Sequence, residues 1–317
     1  MAADQSGLSG LAAIAGVTTP AFGRLCRRHA VPAAYAAYAA LWVGCGRAPD
    51  TIVVGSKNFS ESVLLGEIVA QQLERYNLKV ERKPFLGGTF VCHQALVAGQ
   101  LDIYVEYTGT AHSAILGLPV ERDPGRVRAT VDSVYRARWN LVWTEPLGFE
   151  NTFAILVRRQ DAERLRLRTI SDAVPHARAW RAVFGYEFTE RTDGLPGLMA
   201  TYGFRFDRPP ATMDLGLVYR ALADRVGDIT SGNSTDGQIA ALNLLQLEDD
   251  LHYFPPYEAA PIVRRDVLVR FPEVGEALRA LGGRITADRM RELNRLVDVE
   301  HRPVFQVARE FLTEVPR

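Results

Sequence analysis

The sequence has few of the residues that would support several common functions. Only three of its 317 residues are cysteines, too few for a disulfide framework or a zinc site with four thiolates. Its 37 basic and 37 acidic side chains cancel formally, which argues against a general nucleic-acid binder. Lysine occurs only at Lys57, Lys79 and Lys83, a bias that indicates a high-GC genome before it indicates a function. The remaining composition, 47% hydrophobic and 23% charged, is typical of a globular protein.

Motifs of catalysis are also missing. The sequence contains no nucleophile elbow, zinc-protease helix, Walker loop or dinucleotide fingerprint. Its six histidines show no ligand spacing, so we expect His93 and His112 to be surface or supporting residues rather than metal ligands. We expect Cys92 to be a small buried hydrophobe. Asp102 and Glu106 could form a carboxylate pair, but no acid–base partner accompanies them, so we expect structural roles. The sequence therefore predicts no enzyme, no cofactor and no metal.

Residues 1–44 are predicted to be a leader and lipoprotein signal. Arg24, Arg27 and Arg28 precede an uncharged, alanine-rich run at residues 30–43. That run is shorter than the roughly 20 residues a membrane-spanning helix needs. It ends at Gly44-Cys45, which resembles a bacterial lipobox, so Cys45 would be the lipidated first residue of the mature protein. An ordinary signal with an incidental cysteine, or a buried alanine-rich helix, is the alternative.

After residue 50, strand and helix patterns alternate. Short β-branched or alternating runs predict strands at residues 52–55, 78–82, 101–105, 153–157 and 182–184, with a further one at Ile229. Asn58 and Glu61 form a capping pattern at the start of a helix that continues to Tyr76. Helical periodicity marks residues 272–281, 287–299 and 303–312. The alternation predicts an α/β protein of two lobes, each built from parallel βαβ units.

Aromatic and cationic residues next to predicted turns are the candidate binding groups. Tyr107 and Thr110 follow a strand at the end where open α/β sheets bind ligands. Tyr257 lies in a rigid Pro-Pro-Tyr turn, Phe153 begins a strand, and Arg191 lies in a polar loop. Aromatic faces attract a quaternary ammonium by about 0.5–2 kcal/mol per contact. A guanidinium holds a carboxylate through two charge-assisted hydrogen bonds. Together these residues predict a box for a cation with a clamp for an anion.

Six spaced motifs resemble one protein family. They are VGSKNF at 54–59, LGGT at 86–89, YVEYTGT at 104–110, LGF at 147–149, RTDGLP at 191–196 and PPY at 255–257. In this order they resemble the substrate-binding proteins of ABC importers for glycine betaine, choline, carnitine and related osmoprotectants. The resemblance extends from about residue 51 to 312.

The resemblance implies a type II periplasmic binding protein fold, in which two α/β lobes hold the ligand between them. Lobe 1 would comprise residues 51–152 plus 258–317, and lobe 2 residues 153–257. The chain would be an extracytoplasmic, lipid-anchored protein that delivers its ligand to a membrane permease and its ATPase.

Binding roles carry over to matching positions. Tyr107 and Tyr257 match aromatic walls of the ligand cage, and Arg191 matches the arginine that binds a ligand carboxylate. Lys57 and Thr110 match polar contacts to the same carboxylate. These five residues would hold a small zwitterion or quaternary amine.

Two cage positions depart from the family pattern. Phe153 falls where a cage tyrosine is common, a mild change because the ring face remains. Asn233 falls where many members have a further tyrosine. Because an amide has no ring face, a more polar or larger ligand such as ergothioneine is an alternative. Asp236 is expected to organise the loop rather than touch the ligand. A ligand-sensing domain, or an enzyme using Lys57, is a further alternative.

Overall fold

The computed structural model describes residues 50–315 of the chain. The predicted leader, the lipobox and Cys45 therefore lie outside the described residues. The described part belongs to one structural unit and contains all the strands and helices predicted after residue 50. No helix in this part is long and apolar enough to cross a membrane.

Ten strands occur in the described residues. They are β1 (Thr51–Lys57), β2 (Lys79–Gly87), β3 (Ile103–Tyr107), β4 (Leu141–Trp143), β5 (Phe153–Arg158), β6 (Val183–Gly185), β7 (Ala211–Met213), β8 (Thr230–Asn233), β9 (Leu244–Gln246) and β10 (Ala259–Arg264).

Fourteen α-helical segments occur in the same part of the chain. They are α1 (Ser60–Arg75), α2 (Thr89–Val97), α3 (Thr108–Thr110), α4 (Pro124–Trp139), α5 (Arg159–Leu165), α6 (Ile170–Ala173), α7 (Tyr186–Glu190), α8 (Leu195–Tyr202), α9 (Leu215–Ala223), α10 (Gln238–Ala241), α11 (Arg265–Arg270), α12 (Pro272–Leu281), α13 (Ala287–Asp298) and α14 (Val304–Thr313). A π-helical turn follows α3 at Ala111–Ile115, and a 3-10 helix follows α6 at Val174–Ala179.

A five-stranded sheet in the order β2-β1-β3-β10-β4 forms the centre of lobe 1. Strand β1 runs parallel to β2 and β3, as the alternation of strands and helices predicts. The prediction of parallel units is wrong for β10, which runs antiparallel to β3 and β4, and also for the three-stranded sheet of lobe 2, in which β5 runs antiparallel to β8 and β9. The reason is topological: β10 brings the chain back from lobe 2 and enters the sheet from the opposite end.

Lobe 2 is built on two smaller sheets. One has the order β8-β5-β9 and is antiparallel, and the other pairs β6 with β7 in parallel. A parallel bridge between Ala182 and Ile229 joins the two sheets.

Helix α1 is the centre of the lobe 1 core. Leu64, Ile68 and Leu73 are at most 1% exposed, because the helix lies between the sheet and the three C-terminal helices. Those C-terminal helices were predicted to within one residue, since each buries a single apolar stripe. Burying each such leucine side chain contributes about 1.5–3 kcal/mol.

The predicted cap at the start of α1 is wrong. The helix begins after Phe59, which makes no side-chain capping bond, and Asn58 is not the cap. Glu61 is 1% exposed and faces the interior instead of reaching back to the helix terminus. The capping pattern is local, whereas the direction of Glu61 is decided by buried donors from distant segments.

Candidate ligand-binding site

A cavity of about 170 Å³ lies between the two lobes. All seven predicted binding residues line it: Lys57, Tyr107, Thr110, Phe153, Arg191, Asn233 and Tyr257. The structure thus brings together residues separated by up to 200 positions in sequence. Sequence analysis did not identify the other polar residues of the wall, among them Asn58, Asn151, Glu187 and Asp214.

Lobe 1 contributes residues from the carboxyl ends of two adjacent parallel strands. Lys57 ends β1, and Tyr107 ends β3, so both side chains reach the same edge of the sheet. The Lys57 ammonium lies 4.9 Å from the centroid of the Tyr107 ring. It also lies 2.5 Å from Oε1 of Glu106 and donates to Thr89 Oγ1 at 3.3 Å. Glu106 therefore neutralises the Lys57 charge behind the cavity wall.

Lobe 2 contributes Phe153 and Asn233 from neighbouring strands. Phe153 on β5 is the direct antiparallel partner of Asn233 on β8, so their side chains are neighbours at the edge of this sheet. The Arg191 guanidinium lies 4.8 Å from the centroid of Phe153 and 5.9 Å from that of Tyr257. Phe153 and Tyr257 approach edge to face, with centroids 5.9 Å apart. These rings and the guanidinium form one continuous wall.

Arg191 is already paired with a carboxylate of its own loop. Its Nε donates to Oδ1 of Asp193 at 2.9 Å, and its Nη2 donates to Oδ2 at 2.5 Å. Nη2 also donates to Thr110 Oγ1 across the cleft at 3.2 Å, while the Tyr257 hydroxyl donates to Asp193 at 2.7 Å. Burial opposes the Arg191 charge, but Asp193 outweighs that effect and raises the pKa of Arg191. Nη1 does not contact Asp193 and lies 3.5 Å from Oε2 of Glu187.

The loop that carries Arg191 folds back tightly on α7. The Gly194 N–H donates to the Arg191 carbonyl at 3.0 Å. A Cβ atom at Gly194 would lie 2.2 Å from the Phe188 carbonyl oxygen, so glycine is required for this close approach. The Tyr253 hydroxyl donates to carbonyls of the same loop. The guanidinium is therefore held by backbone geometry as well as by Asp193.

Glu61 is a buried residue that supports the site from behind. Its Oε1 accepts hydrogen bonds from the Tyr107 hydroxyl at 2.6 Å and the Asn151 amide at 2.7 Å. Its Oε2 accepts from the Thr235 hydroxyl at 2.5 Å and the Asn294 amide at 2.8 Å. Burial raises the pKa of Glu61, and the four hydrogen bonds work against that rise. Glu61 thus ties a cavity-wall tyrosine of lobe 1 to the loop that follows β8 in lobe 2.

Glu187 is a second carboxylate that sequence analysis missed, because no motif surrounds it. Its Oε1 accepts from the Thr89 N–H at 2.6 Å, and its Oε2 accepts from the Thr89 hydroxyl at 3.1 Å. Nη1 of Arg191 lies 3.5 Å from Oε2. Burial alone would raise the pKa of Glu187, but Lys57, Arg191 and the Thr89 hydrogen bonds lower it. Glu187 in lobe 2 is therefore an ionised partner of the first turn of α2 in lobe 1.

Asp236 organises its loop, as expected. It accepts a hydrogen bond from the Tyr219 hydroxyl and another from the Asn233 N–H at 3.0 Å. Burial, reinforced by the nearby Glu61 carboxylate, raises the pKa of Asp236 to about 7, against the Tyr219 hydrogen bond. Asp236 is absent from the cavity wall and sets the position of Asn233.

Two of the histidines, His93 and His112, lie in the core. They are 2% and 5% exposed, so the surface position, one of the two expected for them, is wrong. His93 packs edge to face against Tyr135 and Trp139, and its burial lowers its pKa to about 4. His93 is buried because it packs into an apolar pocket between α2 and α4, which the periodicity of the sequence does not reveal. Among residues 50–315, no cluster of three or more His, Cys, Asp or Glu side chains could hold a metal.

The remaining candidates have structural roles. Cys92 is fully buried, and its burial raises its pKa to about 12, so the thiol is a small core hydrophobe as expected. Asp102 accepts the Val53 N–H at 2.8 Å and stabilises the junction of β1 with β3. Glu106 pairs with Lys57. The expectation that Asp102 and Glu106 are structural is confirmed by these contacts.

Comparison with known proteins identifies related sequences. Residues 50–314 match a family described as the substrate binding domain of ABC-type glycine betaine transport system. The chain is 34% identical over 262 residues to the ergothioneine transport permease/ergothioneine binding protein EgtU of Helicobacter pylori. That match covers 82% of this chain and 47% of the Helicobacter protein, so this chain spans about half of that relative's length.

Two further matches cover most of both proteins. The carnitine transport binding protein OpuCC of Listeria monocytogenes is 34% identical over 270 residues, which is 84% of this chain and 87% of OpuCC. The crystal structure of a glycine betaine/carnitine/choline ABC transporter superposes with a TM-score of 0.70 at 30% identity. That match covers 83% of this chain and 98% of the other. The two-lobed binding-protein architecture is thus shared along the described part of the chain.

Proposed function

The chain belongs to the family of substrate-binding domains of ABC-type glycine betaine transport systems, and from this we propose that it captures a quaternary-ammonium or zwitterionic osmoprotectant in the cavity between its lobes. Members of this family are extracytoplasmic binding components of ABC importers and are not enzymes. The observation that carries the proposal is that all seven residues matched to the family's ligand site line one cavity.

The chemistry of the cavity wall supports a quaternary amine. Six aromatic side chains line it: Phe59, Tyr107, Phe153, Tyr186, Phe188 and Tyr257. Each ring face that a trimethylammonium group contacts contributes about 0.5–2 kcal/mol. Several rings remain even though Asn233 replaces an aromatic cage residue. Nη1 of Arg191 is the donor that a ligand carboxylate would meet.

Contacts between the lobes support binding by lobe closure. Arg191 donates to Thr110, and Thr89 donates to Glu187, each bond joining lobe 2 to lobe 1. We propose the lobe limits expected from the resemblance, residues 51–152 plus 258–317 and residues 153–257. The closed, liganded form would be recognised by the membrane permease, which works with its ATPase.

A ligand panel tests the proposal. Purified residues 46–317 should bind at least one of glycine betaine, choline, carnitine and ergothioneine, with heat in calorimetry and a raised melting temperature. No heat and no melting shift with any of the four would overturn the ligand class.

A variant tests the proposed clamp. Arg191→Ala should weaken binding of glycine betaine more than binding of choline, which has no carboxylate. Because this change leaves the buried Asp193 without its cation, Arg191→Ala/Asp193→Asn is the matched control. Equal loss for both ligands would mean that Arg191 holds the loop instead of the ligand.

Ergothioneine is the second candidate ligand. It is favoured by Asn233, which places an amide beside Phe153 where the family often has a ring, and by the identity to the Helicobacter ergothioneine protein. An amide pairs with the polar atoms of a heterocycle. Competition calorimetry between choline and ergothioneine separates the two candidates, since the tighter ligand displaces the other.

We also propose that Cys45 carries a lipid anchor. The proposal is supported by the basic cluster, the apolar run and the Gly44-Cys45 pair in the sequence. Cys45→Ser should move the protein from the membrane fraction to the soluble fraction and abolish labelling by a radioactive fatty acid. Unchanged fractionation and labelling would refute the anchor.

A further inference from the structure

The hydrogen-bond donors at the start of α2, in lobe 1, are already occupied by Glu187, a residue of the cavity wall. The N–H and hydroxyl of Thr89 point to the Glu187 carboxylate, at 2.6 and 3.1 Å. Thr89 begins α2, and free N–H groups at a helix start favour an anion. Lys57, which donates to the Thr89 hydroxyl, adds positive charge at the same place. The Thr89 donors and the Lys57 charge together could otherwise bind a ligand carboxylate.

The donors on the lobe 2 side are occupied in the same way. Asp193 takes Nε and Nη2 of Arg191, and Oε2 of Glu187 lies 3.5 Å from the remaining Nη1. A ligand carboxylate that approaches Arg191 or the start of α2 therefore meets donors that already have a protein carboxylate nearby. It must displace Glu187 or accept a single, shared contact with Arg191.

The charges around the cavity also disfavour a ligand carboxylate. The cations of the wall, Lys57 and Arg191, are each paired with a buried carboxylate, Glu106 and Asp193 respectively. Glu187 and Asp214 are carboxylates of the wall itself, so the wall and the partners of its cations carry a formal excess of two negative charges. A ligand with a net positive charge is attracted by this excess, whereas a zwitterion gains less because its carboxylate is repelled.

We propose that Glu187 determines the ligand specificity of this site: its carboxylate occupies the donors at the start of α2, and the site therefore prefers a cationic quaternary amine to one that carries a carboxylate. This inference rests on the proposed function and narrows its substrate class. Glu187 selects against the second ligand type because its carboxylate would repel the carboxylate of the ligand in the cavity.

Gly88 provides an independent means of moving the Glu187 carboxylate. A Cβ atom at this position would lie 2.5 Å from Oε1 of Glu187. The backbone of Gly88 has a φ of −73°, which alanine adopts without strain. Gly88→Ala should therefore displace the carboxylate and release the Thr89 donors while residue 187 stays unchanged.

The experiment measures the ratio of dissociation constants for glycine betaine and choline by calorimetry. The wild type should bind choline more tightly. Glu187→Gln keeps the shape but replaces charge-assisted hydrogen bonds by neutral ones, so the betaine-to-choline ratio should fall about fivefold to tenfold. Gly88→Ala should lower the ratio in the same direction. Glu190→Gln, on the exposed side of the same helix α7, should leave it unchanged.

The outcomes separate this inference from the proposed function. A ratio that is unchanged or rises in both Glu187→Gln and Gly88→Ala, with both ligands still bound, overturns the role of Glu187 and leaves the proposed function intact. A wild type that binds neither ligand nor any other member of the panel overturns both. If one variant does not fold, the ratio in the other decides.

Discussion

Replacing Asp236 by asparagine should remove a pH-dependent loss of stability from this protein. Asp236 is buried behind the cavity, where Tyr219 and the Asn233 N–H are its hydrogen-bond donors. Its burial, with the nearby Glu61 carboxylate, raises its pKa from 3.8 to about 7. The folded protein therefore holds the neutral form of this carboxyl well above the pH at which the unfolded chain ionises. Asparagine is a close mimic of that neutral form.

The sign and size of the effect follow from linkage. A carboxyl whose pKa is raised on folding contributes stability that is fully present below about pH 4 and is lost as the pH rises through 7. At 1.36 kcal/mol per pKa unit, the loss amounts to about 4 kcal/mol. The unfolding free energy of Asp236→Asn minus that of the wild type should therefore increase by about 4 kcal/mol between pH 4 and pH 8. Any effect of the asparagine amide on the unfolding free energy that does not depend on pH cancels in this comparison.

The assay is urea unfolding of both proteins in parallel at several pH values. Tyr219→Phe is the matched control: it removes the hydroxyl that lowers the Asp236 pKa, so the loss of stability in that variant should continue to higher pH and become larger. A flat difference curve between Asp236→Asn and the wild type would refute the reasoning, because it would mean that burial does not hold this carboxyl neutral.

Three other substitutions test the site and the core. Phe153→Ala should weaken choline binding about tenfold in calorimetry, because it removes a ring face, whereas Phe153→Tyr should retain binding. Gly109→Ala should weaken ligand binding and lower the unfolding free energy by about 1–3 kcal/mol, because its Cβ would lie 2.6 Å from the Pro256 carbonyl oxygen and 2.8 Å from the Tyr257 ring. Normal affinity in this variant would contradict the idea that the Tyr257 ring is held in one position at the cavity. Leu278→Ala, in the fully buried core, should lower the unfolding free energy by about 2–5 kcal/mol in urea titrations without changing ligand affinity. A loss of affinity at normal stability would mean that Leu278 supports the ligand site as well as the core.

Much of the fold was predictable because it depends on local patterns. The apolar stripes of α12, α13 and α14 identify these helices to within one residue, since a helix on a core must repeat its apolar face every 3.6 residues. The antiparallel direction of β10 was not predictable, because a strand has the same pattern in either direction. Its direction depends on the path by which the chain returns from lobe 2.

Some residues of the site were also predictable from the sequence, and others were not. Residues in family motifs, such as Tyr107 and Arg191, were predictable because their motifs mark them. Glu187 was not, because no motif surrounds it and its hydrogen-bond partner Thr89 lies 98 positions away. Asp193 lies within a recognised motif, yet its pairing with Arg191 changes what that arginine can offer a ligand.

The sequence by itself determined the class of protein, the alternation of strands and helices, and the chemical types of the seven predicted residues that line the cavity, because these depend on residue identity and short-range spacing. The tertiary structure decided which charges meet. Glu61 was placed by donors from four distant segments rather than by its local cap, and Glu187 was brought to the first turn of α2 by the approach of the lobes. Electrostatic interactions depend on distances in space, which residue spacing along the chain does not specify.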